Sequence, residues 1–180
     1  NANGYDNVIV IPKQIYLRQY SFKERTEFSP TRLWVRALDD IYNAKMAIKA
    51  MEMVQKSFPT VILCMIGPDK GQLSELKDLA KSLNVSVNFT GKLTRSEWTT
   101  KSEEYDIFIN TSRVDNTPVS IIEAMALGLP VISTSVGGIP FLINDGEQGL
   151  LVADNNEVAL AEAILIILNH PEIAKTMTIK

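Results

Sequence analysis

The sequence predicts an α/β protein with a Rossmann-like parallel sheet and helices on both faces. Short runs of β-branched and other apolar residues alternate with longer segments in which apolar residues recur every three or four positions. This alternation is typical of βαβ units, whose parallel strands are buried on both sides. The length of 180 residues is that of one domain.

The first two predicted strands are short apolar runs. Val8–Ile11 ends at Pro12, and Leu33–Val35 precedes a segment with helical periodicity over Tyr42–Phe58. Apolar residues fall on one face of that helix, and Pro59 closes it because proline cannot continue a helix.

The middle of the chain repeats the pattern. Val61–Ile66 is a continuous apolar strand, the helix over 73–83 follows it, and Val85–Phe89 is the next strand. The sequence Thr94-Arg95-Ser96-Glu97 fits a capping box, which predicts the start of a short helix.

The last third supplies three more strands and two more helices. They are the strands Ile107–Ile109, Val131–Ser133 and Leu150–Val152 and the helices over 117–127 and 157–168. We therefore expect six or seven strands and five helices in all.

Composition excludes several classes of function. Lys and Arg number 18 against 21 Asp and Glu, so the net charge of −3 gives no general attraction to nucleic acid or anionic lipid. No apolar run is longer than the six residues of Ala163–Leu168, which is too short to span a membrane, and the start does not resemble a signal peptide. We expect a soluble, cytoplasmic protein.

Cysteine and histidine are each present once. Cys64 lies inside a predicted buried strand and behaves there as a small hydrophobic residue, and His170 follows a helix, where a cation is common. A disulfide or a Cys/His zinc cluster cannot form within the chain. We expect neither residue to be catalytic and no bound metal.

The loop after Ile109 carries the strongest signal for a binding site. It leads through polar residues into a helix for which Thr117 is a good N-cap and Pro118 a good first residue. The backbone N–H groups of Val119 and Ser120 then lie at the positive end of the helix dipole. Such an end binds a carboxylate, sulfate or phosphate.

Two carboxylates flank this helix start. Asp115 precedes the predicted cap and Glu123 lies in the second turn. With a rise of about 1.5 Å per residue, the two acids would be roughly 10 Å apart, which suits a ligand with hydroxyls at both ends and phosphates between them. The alternatives are that Asp115 is a turn residue and that Glu123 is a solvated helix position.

Glycines mark two further loops. Gly137-Gly138 permits close approach of the backbone to a ligand, although a plain turn explains the pair equally well. The segment from Gly67 to Gly71 resembles a phosphate loop only superficially, because the Walker spacing is missing. The sequence has no G-x-G-x-x-G and no D-x-D.

The sequence from Asp115 to Val152 resembles a known family. Glu-Ala-Met-Ala-Leu-Gly-Leu-Pro-Val-Ile starts at Glu123, eight residues after Asp115, and Val-Gly-Gly-Ile-Pro starts at Val136. These motifs closely resemble the nucleotide-sugar-binding C-terminal half of retaining GT-B glycosyltransferases of the group 1, or family 4, type. The resemblance implies that residues 1–180 form a single donor-binding domain and that an N-terminal acceptor domain lies outside this chain.

The resemblance also implies roles for individual residues. As catalytic residues, Asp115 would contact hydroxyls of the donor sugar and Glu123 the ribose hydroxyls. The implied donor-binding residues are Arg36, Gly67, Gly91, Lys92, Asn116, Thr117 and Val119. Of these, Arg36 and the loop 116–119 would hold the diphosphate, and the Gly91–Lys92 loop would cradle the base.

The implied activity is a retaining, metal-independent transfer from a nucleoside-diphosphate sugar, in polysaccharide or glycoconjugate synthesis. Membrane association would be peripheral and only through the acceptor domain. The chain departs from the family where a lysine normally follows Arg36 by five residues, and Lys45 replaces it only if the loop is shifted. The first acid is Asp115 instead of the usual glutamate. Alternatives are a non-catalytic interaction module and a nucleotide-sugar 2-epimerase relative.

Overall fold

A computed structural model describes residues 15–179 and shows one six-stranded, fully parallel sheet. Its strands are β1 (Thr31–Val35), β2 (Ile62–Ile66), β3 (Val87–Gly91), β4 (Ile107–Asn110), β5 (Val131–Thr134) and β6 (Leu150–Val152), in the order β3-β2-β1-β4-β5-β6. The predicted fold class is confirmed. The predicted strand Val8–Ile11 lies outside the described residues.

Six α-helices accompany the sheet in the described part of the chain. They are α1 (Ala44–Val54), α2 (Leu73–Ser82), α3 (Arg95–Lys101), α4 (Val119–Ala126), α5 (Glu157–Asn169) and α6 (Pro171–Ile179). The sequence predicted the first five and missed α6. His170 ends α5, and Pro171 then occupies the first position of a new helix, where a missing N–H costs nothing.

The helices lie on both faces of the sheet. Alternate residues of a strand point to opposite faces, so Leu63 and Met65 of β2 pack in a cluster with α1, α2, α5 and α6, whereas Cys64 and Ile66 pack with α3 and α4. Burial raises the pKa of the Cys64 thiol, as expected for an inert core residue.

The ends of two predicted elements are shifted by asparagines in the left-handed conformation. Asn43, at φ 49°, separates a 3-10 turn over Asp40–Tyr42 from α1, so the helix begins two residues later than predicted. Asn84, at φ 53°, delays β3 to Val87. Asparagine adopts this conformation more readily than most residues because its short polar side chain bonds locally.

The segment 15–30, here called the strap, packs against the C-terminal ends of α3 and α4 before it enters β1. Its anchor is Arg25, whose buried guanidinium donates to the carbonyls of Ser102, Tyr105 and Leu127 and lies 3.4 Å from Asp106. The N–H of Lys23 also donates to the Leu127 carbonyl. The strap is therefore a fixed part of the domain.

No helix within residues 15–179 is long and apolar enough to cross a membrane.

Candidate functional site

A cleft of about 400 Å³ opens at the carboxyl ends of the strands. The strand order reverses between β1 and β4, and in open parallel sheets this switch point is where ligands bind. The cleft is lined by Val35, Arg36, Ala37, Ile66, Gly67, Pro68, Lys92, Leu93, Arg95, Trp98, Val119 and Glu123. It has an apolar side and a side that carries charges of both signs.

Arg36 follows the last residue of β1 and is the most enclosed cation of the cleft. Its Nη2 lies 2.5 Å from Oδ2 of Asp115, its guanidinium carbon lies 5.3 Å from the centre of the Tyr42 ring, and its side chain is 15% exposed. Burial lowers the pKa of Arg36 and Asp115 opposes that effect, but an arginine remains charged at neutral pH. Nε is buried without a hydrogen-bond partner in the described structure.

A buried polar network fixes the loop that carries Asp115. Trp34 Nε1 donates to Thr111 Oγ1, which donates to the Tyr42 carbonyl, and Thr134 Oγ1 donates to the Ser112 carbonyl. Such satisfied networks are rigid because breaking one bond leaves a buried polar group unpaired. The loop is therefore held against both β1 and β5.

The prediction that Thr117 caps α4 is wrong. The helix begins at Val119, its N-cap is Pro118, and no side chain caps it. The reason is that Pro118 has an extended ψ of 100° and its carbonyl already accepts from Ile121, so Thr117 lies outside the helix. Within residues 15–179 the N–H groups of Val119 and Ser120 donate no hydrogen bond, so they are the free ones at the helix start, as predicted.

Glu123 is buried, with a residue exposure of 6%, so the alternative of a solvated helix position is wrong. Its Oε1 accepts from the Tyr20 hydroxyl at 2.6 Å and lies 3.0 Å from Arg95 Nε. A buried carboxylate requires such donors, because desolvation of an unpaired charge is costly. Glu123 thus faces the cleft in a defined orientation.

The glycine pair at 137–138 supports the Asp115 loop. A Cβ on Gly137 would lie 2.0 Å from the Asp115 carbonyl oxygen, and one on Gly138 would lie 1.8 Å from that of Asn116. The Gly138 N–H donates to the Asp115 carbonyl at 2.9 Å. The close approach that the glycine pair permits is therefore to the backbone of Asp115 and Asn116.

We predict that Gly138→Ala lowers the free energy of unfolding by about 2 kcal/mol, because the added methyl has no room beside the Asn116 carbonyl. Chemical denaturation measures this loss. Ser135→Ala, at an exposed position nearby, is the control and should change the free energy of unfolding by less than about 0.5 kcal/mol. Equal stability of the two variants would contradict the packing described.

The structure brings five of the predicted site residues to the cleft: Arg36, Gly67, Lys92, Val119 and Glu123. Asp115 joins them through Arg36. Gly91 is exposed and does not line the cleft, and its carbonyl accepts from the N–H of Gly67, which does, at 2.9 Å. Their roles toward a ligand stay predictions.

Asn116 and Thr117 are exposed and do not line the cleft. They border a neighbouring pocket of about 290 Å³ together with Gly138, Phe141 and Leu142. The prediction placed both residues beside the diphosphate with Val119. The structure separates them from Val119 by the buried Pro118, at which the chain turns into the helix.

The Gly67–Gly71 segment is not a phosphate loop. Asp69 Oδ1 accepts from the backbone N–H groups of Gly71, Gln72 and Leu73, so these groups are occupied by the protein's own carboxylate. These bonds lower the pKa of Asp69. Gly67 is required for another reason, since a Cβ there would lie 1.7 Å from the Arg36 carbonyl oxygen.

Lys45 does not replace the family's missing lysine. Its Nζ lies 2.6 Å from Glu75 Oε1, and the residue does not line the cleft. The cations that do line it are Arg36, Lys92 and Arg95.

Sequence reasoning missed two residues that contact Glu123. Arg95 was noted only as part of a capping box, although its place directly after the loop that follows β3, at the carboxyl edge of the sheet, was a usable signal. Tyr20 is 103 residues from Glu123 in the chain, and its segment has no periodicity that would place it. No group of three or more His, Cys, Asp or Glu residues that could hold a metal occurs within residues 15–179.

The fold and this cleft define a domain of the GT-B C-terminal type. Residues 19–180 match the model of the family described as glycosyl transferases group 1, and the chain belongs to that family.

The chain is similar to trehalose synthase of Pyrococcus horikoshii, with 34% identity over 143 residues that make up 74% of this chain and 34% of that protein. Its fold matches the C-terminal domain of the Francisella tularensis group 1 protein LpcC, at a TM-score of 0.80 and 18% identity, covering 92% of this chain and 93% of that one. It also matches Anabaena HepE, crystallised in complex with UDP-glucose, at a TM-score of 0.76 and 22% identity. That match covers 85% of this chain and 42% of the HepE chain. The chain spans about a third of the length of the first curated relative.

Proposed function

We propose that this domain binds the nucleoside-diphosphate sugar donor of a retaining glycosyltransferase. The observation that carries the proposal is the cleft at the switch point of the sheet, in which Arg36 and the free N–H groups at the start of α4 lie beside the buried Glu123. Cationic and N–H donors suit a diphosphate, and a fixed carboxylate suits hydroxyl groups. The crystallised complex of HepE with UDP-glucose supports a donor of this class.

In the proposed arrangement the diphosphate lies against Arg36 and the N–H groups of Val119 and Ser120. Glu123 accepts from the ribose hydroxyls, and Asp115 accepts from hydroxyls of the transferred sugar. The apolar side of the cleft, which includes Leu93 and Trp98, faces the base, with Lys92 at its edge.

The reaction breaks the bond between the anomeric carbon and the diphosphate oxygen, and the nucleoside diphosphate leaves with the electron pair. The acceptor hydroxyl forms the new bond, with retained configuration, and its proton passes to an oxygen of the departing diphosphate. Arg36 and the α4 amides stabilise the negative charge that develops on the leaving group, because they are already oriented toward it. No metal is needed for that charge.

Acceptor binding belongs, in this proposal, to an N-terminal domain of the complete protein, and the acceptor reaches the sugar from the open side of the cleft. The setting is polysaccharide or glycoconjugate synthesis in the cytoplasm. This domain alone is expected to bind the donor without transferring its sugar.

A non-catalytic interaction module is the second candidate. It is favoured by the missing lysine and by the fact that Arg36 and Arg95 are both paired with acids of the site. A 2-epimerase relative has no such support, because His170 pairs with the exposed Glu172 and does not line the cleft.

Isothermal titration calorimetry with UDP, GDP, ADP and their glucose or mannose conjugates distinguishes the two candidates. The donor-binding proposal predicts saturable binding of at least one of these ligands. No heat and no thermal shift with any of them at millimolar concentration would contradict it and leave the interaction module.

A further inference from the structure

We infer that Tyr20 is a positioning residue for ribose recognition, since its hydroxyl holds one oxygen of Glu123 and so presents the other to the ligand. The inference rests on the proposed function, in which Glu123 accepts from the ribose. It assigns a role in the nucleotide site to the strap, which lies outside the βα loops that line the cleft.

The two oxygens of Glu123 are in different states. Oε1 accepts a hydrogen bond from the Tyr20 hydroxyl at 2.6 Å and forms an ion pair with Arg95, whose Nε lies 3.0 Å away. Oε2 accepts no hydrogen bond from any residue between 15 and 179. A carboxylate held at one oxygen has the other in a fixed position, ready for a hydroxyl donor.

The two partners of Oε1 differ in how firmly they are held. The Arg95 side chain is 58% exposed and free to move to solvent or to a ligand phosphate. Tyr20 is 8% exposed and packs with Leu33 and Ile121 in the core cluster of that face. Tyr20 therefore sets the orientation of Glu123 whether or not Arg95 is engaged.

Hydrogen bonds from Lys23 and Arg25 of the strap keep Tyr20 in place beside Glu123. The Lys23 N–H donates to the Leu127 carbonyl at the end of α4, the helix that also carries Glu123. The Arg25 guanidinium donates from the strap to the Leu127 carbonyl at the end of α4 and to the Ser102 carbonyl after α3. Tyr20 and Glu123 are thus held to one another by backbone contacts as well as by their own hydrogen bond.

Tyr20 acts only as a donor in this site. Burial, together with the hydrogen bond to Glu123, raises the pKa of Tyr20 to about 12, so the hydroxyl keeps its proton throughout the neutral range. Tyr20→Phe removes that donor and retains the ring that packs in the core. Any effect on nucleotide binding must then pass through Glu123.

The test compares a nucleoside diphosphate with its 2′,3′-dideoxy analogue, using whichever of UDP, GDP and ADP binds the wild-type domain best. We expect Tyr20→Phe to raise the dissociation constant of the ribonucleotide by about tenfold, because the hydrogen bond that Tyr20 donates to the charged Glu123 is lost. The dissociation constant of the dideoxy analogue should change by less than about twofold. Tyr16→Phe is the matched control, because Tyr16 lies in the same strap and is 80% exposed. It should alter neither dissociation constant.

Equal weakening of both ligands, or no weakening of either, would overturn the role of Tyr20 while leaving donor binding intact. A wild-type domain that binds none of the three diphosphates would overturn the proposed function and this inference with it. A second measurement uses Glu123→Gln as the starting protein. In that protein, adding Tyr20→Phe should raise the dissociation constant of the ribonucleotide by less than about twofold further. Fully additive losses would show that Tyr20 does not act through the Glu123 carboxylate.

Discussion

Arg36→Ala is expected to raise the dissociation constant of the nucleoside diphosphate by about a hundredfold, or about 3 kcal/mol. The substitution removes the most enclosed cation of the cleft and leaves Asp115 without its partner at 2.5 Å. An unpaired, largely buried carboxylate beside the diphosphate adds repulsion to the lost attraction. Calorimetry on the two proteins measures the change.

Arg113→Ala is the matched control for Arg36. It also removes an arginine paired with an aspartate at the carboxyl edge of the sheet, but its partner Asp40 is exposed and neither residue lines the cleft. We expect the dissociation constant of the nucleoside diphosphate to change by less than about twofold, because this pair lies outside the cleft and exposed ion pairs contribute little to stability. Similar losses in both variants would mean that the cleft attracts the ligand only through its overall charge.

Glu123→Ala is expected to weaken the ribonucleotide by about thirtyfold, or about 2 kcal/mol, through the loss of hydrogen bonds between a charged acceptor and the ribose hydroxyls. The same substitution leaves the buried Tyr20 hydroxyl without its acceptor, so the melting temperature should also fall. Calorimetry and thermal unfolding on the same sample separate the two effects.

Ser120→Ala is the control for Glu123. Ser120 lies in the first turn of the same helix, and its buried Oγ has no hydrogen-bond partner in the described structure. Loss of that hydroxyl should leave nucleotide binding within about twofold and should not destabilise the domain, because an unsatisfied polar atom is removed. Equal dissociation constants for the two variants would contradict the assignment of Glu123 to the ribose.

The arrangement of the charges suggests how the cleft works without the usual lysine. In the described structure each acid of the site is paired with an arginine, Asp115 with Arg36 and Glu123 with Arg95. A ligand that brings hydroxyls to the acids and phosphates to the arginines would exchange one set of pairs for another. In this account a ligand needs both anionic phosphates and hydroxyl donors to open the pairs.

The sequence was sufficient to predict the fold class because the strands are buried on both faces and read as continuous apolar runs. The run over β2 and the periodic helix after it, α2, are examples in which local pattern and final structure agree within one or two residues. Helix α6 was missed because its start at Pro171 follows α5 directly, and a proline after an apolar helix reads as a stop.

The candidate site was predictable where a single loop carries it. Asp115 and Glu123 were singled out because they flank the predicted helix start, and the resemblance implied their roles. The contact of Asp115 with Arg36 follows from the adjacency of β1 and β4. The cap at Thr117 was wrong because propensity favours threonine, whereas the backbone at Pro118 decides where the helix begins. Tyr20 reaches Glu123 through tertiary packing alone, which no local pattern contains.

The most direct test of the central claim is a crystal structure of the domain with a nucleoside-diphosphate sugar. The account predicts the diphosphate against Arg36 and the first amides of α4, with the ribose hydroxyls on Oε2 of Glu123. A ligand bound elsewhere, or a ribose that leaves Glu123 uncontacted while the diphosphate occupies the cleft, would contradict it.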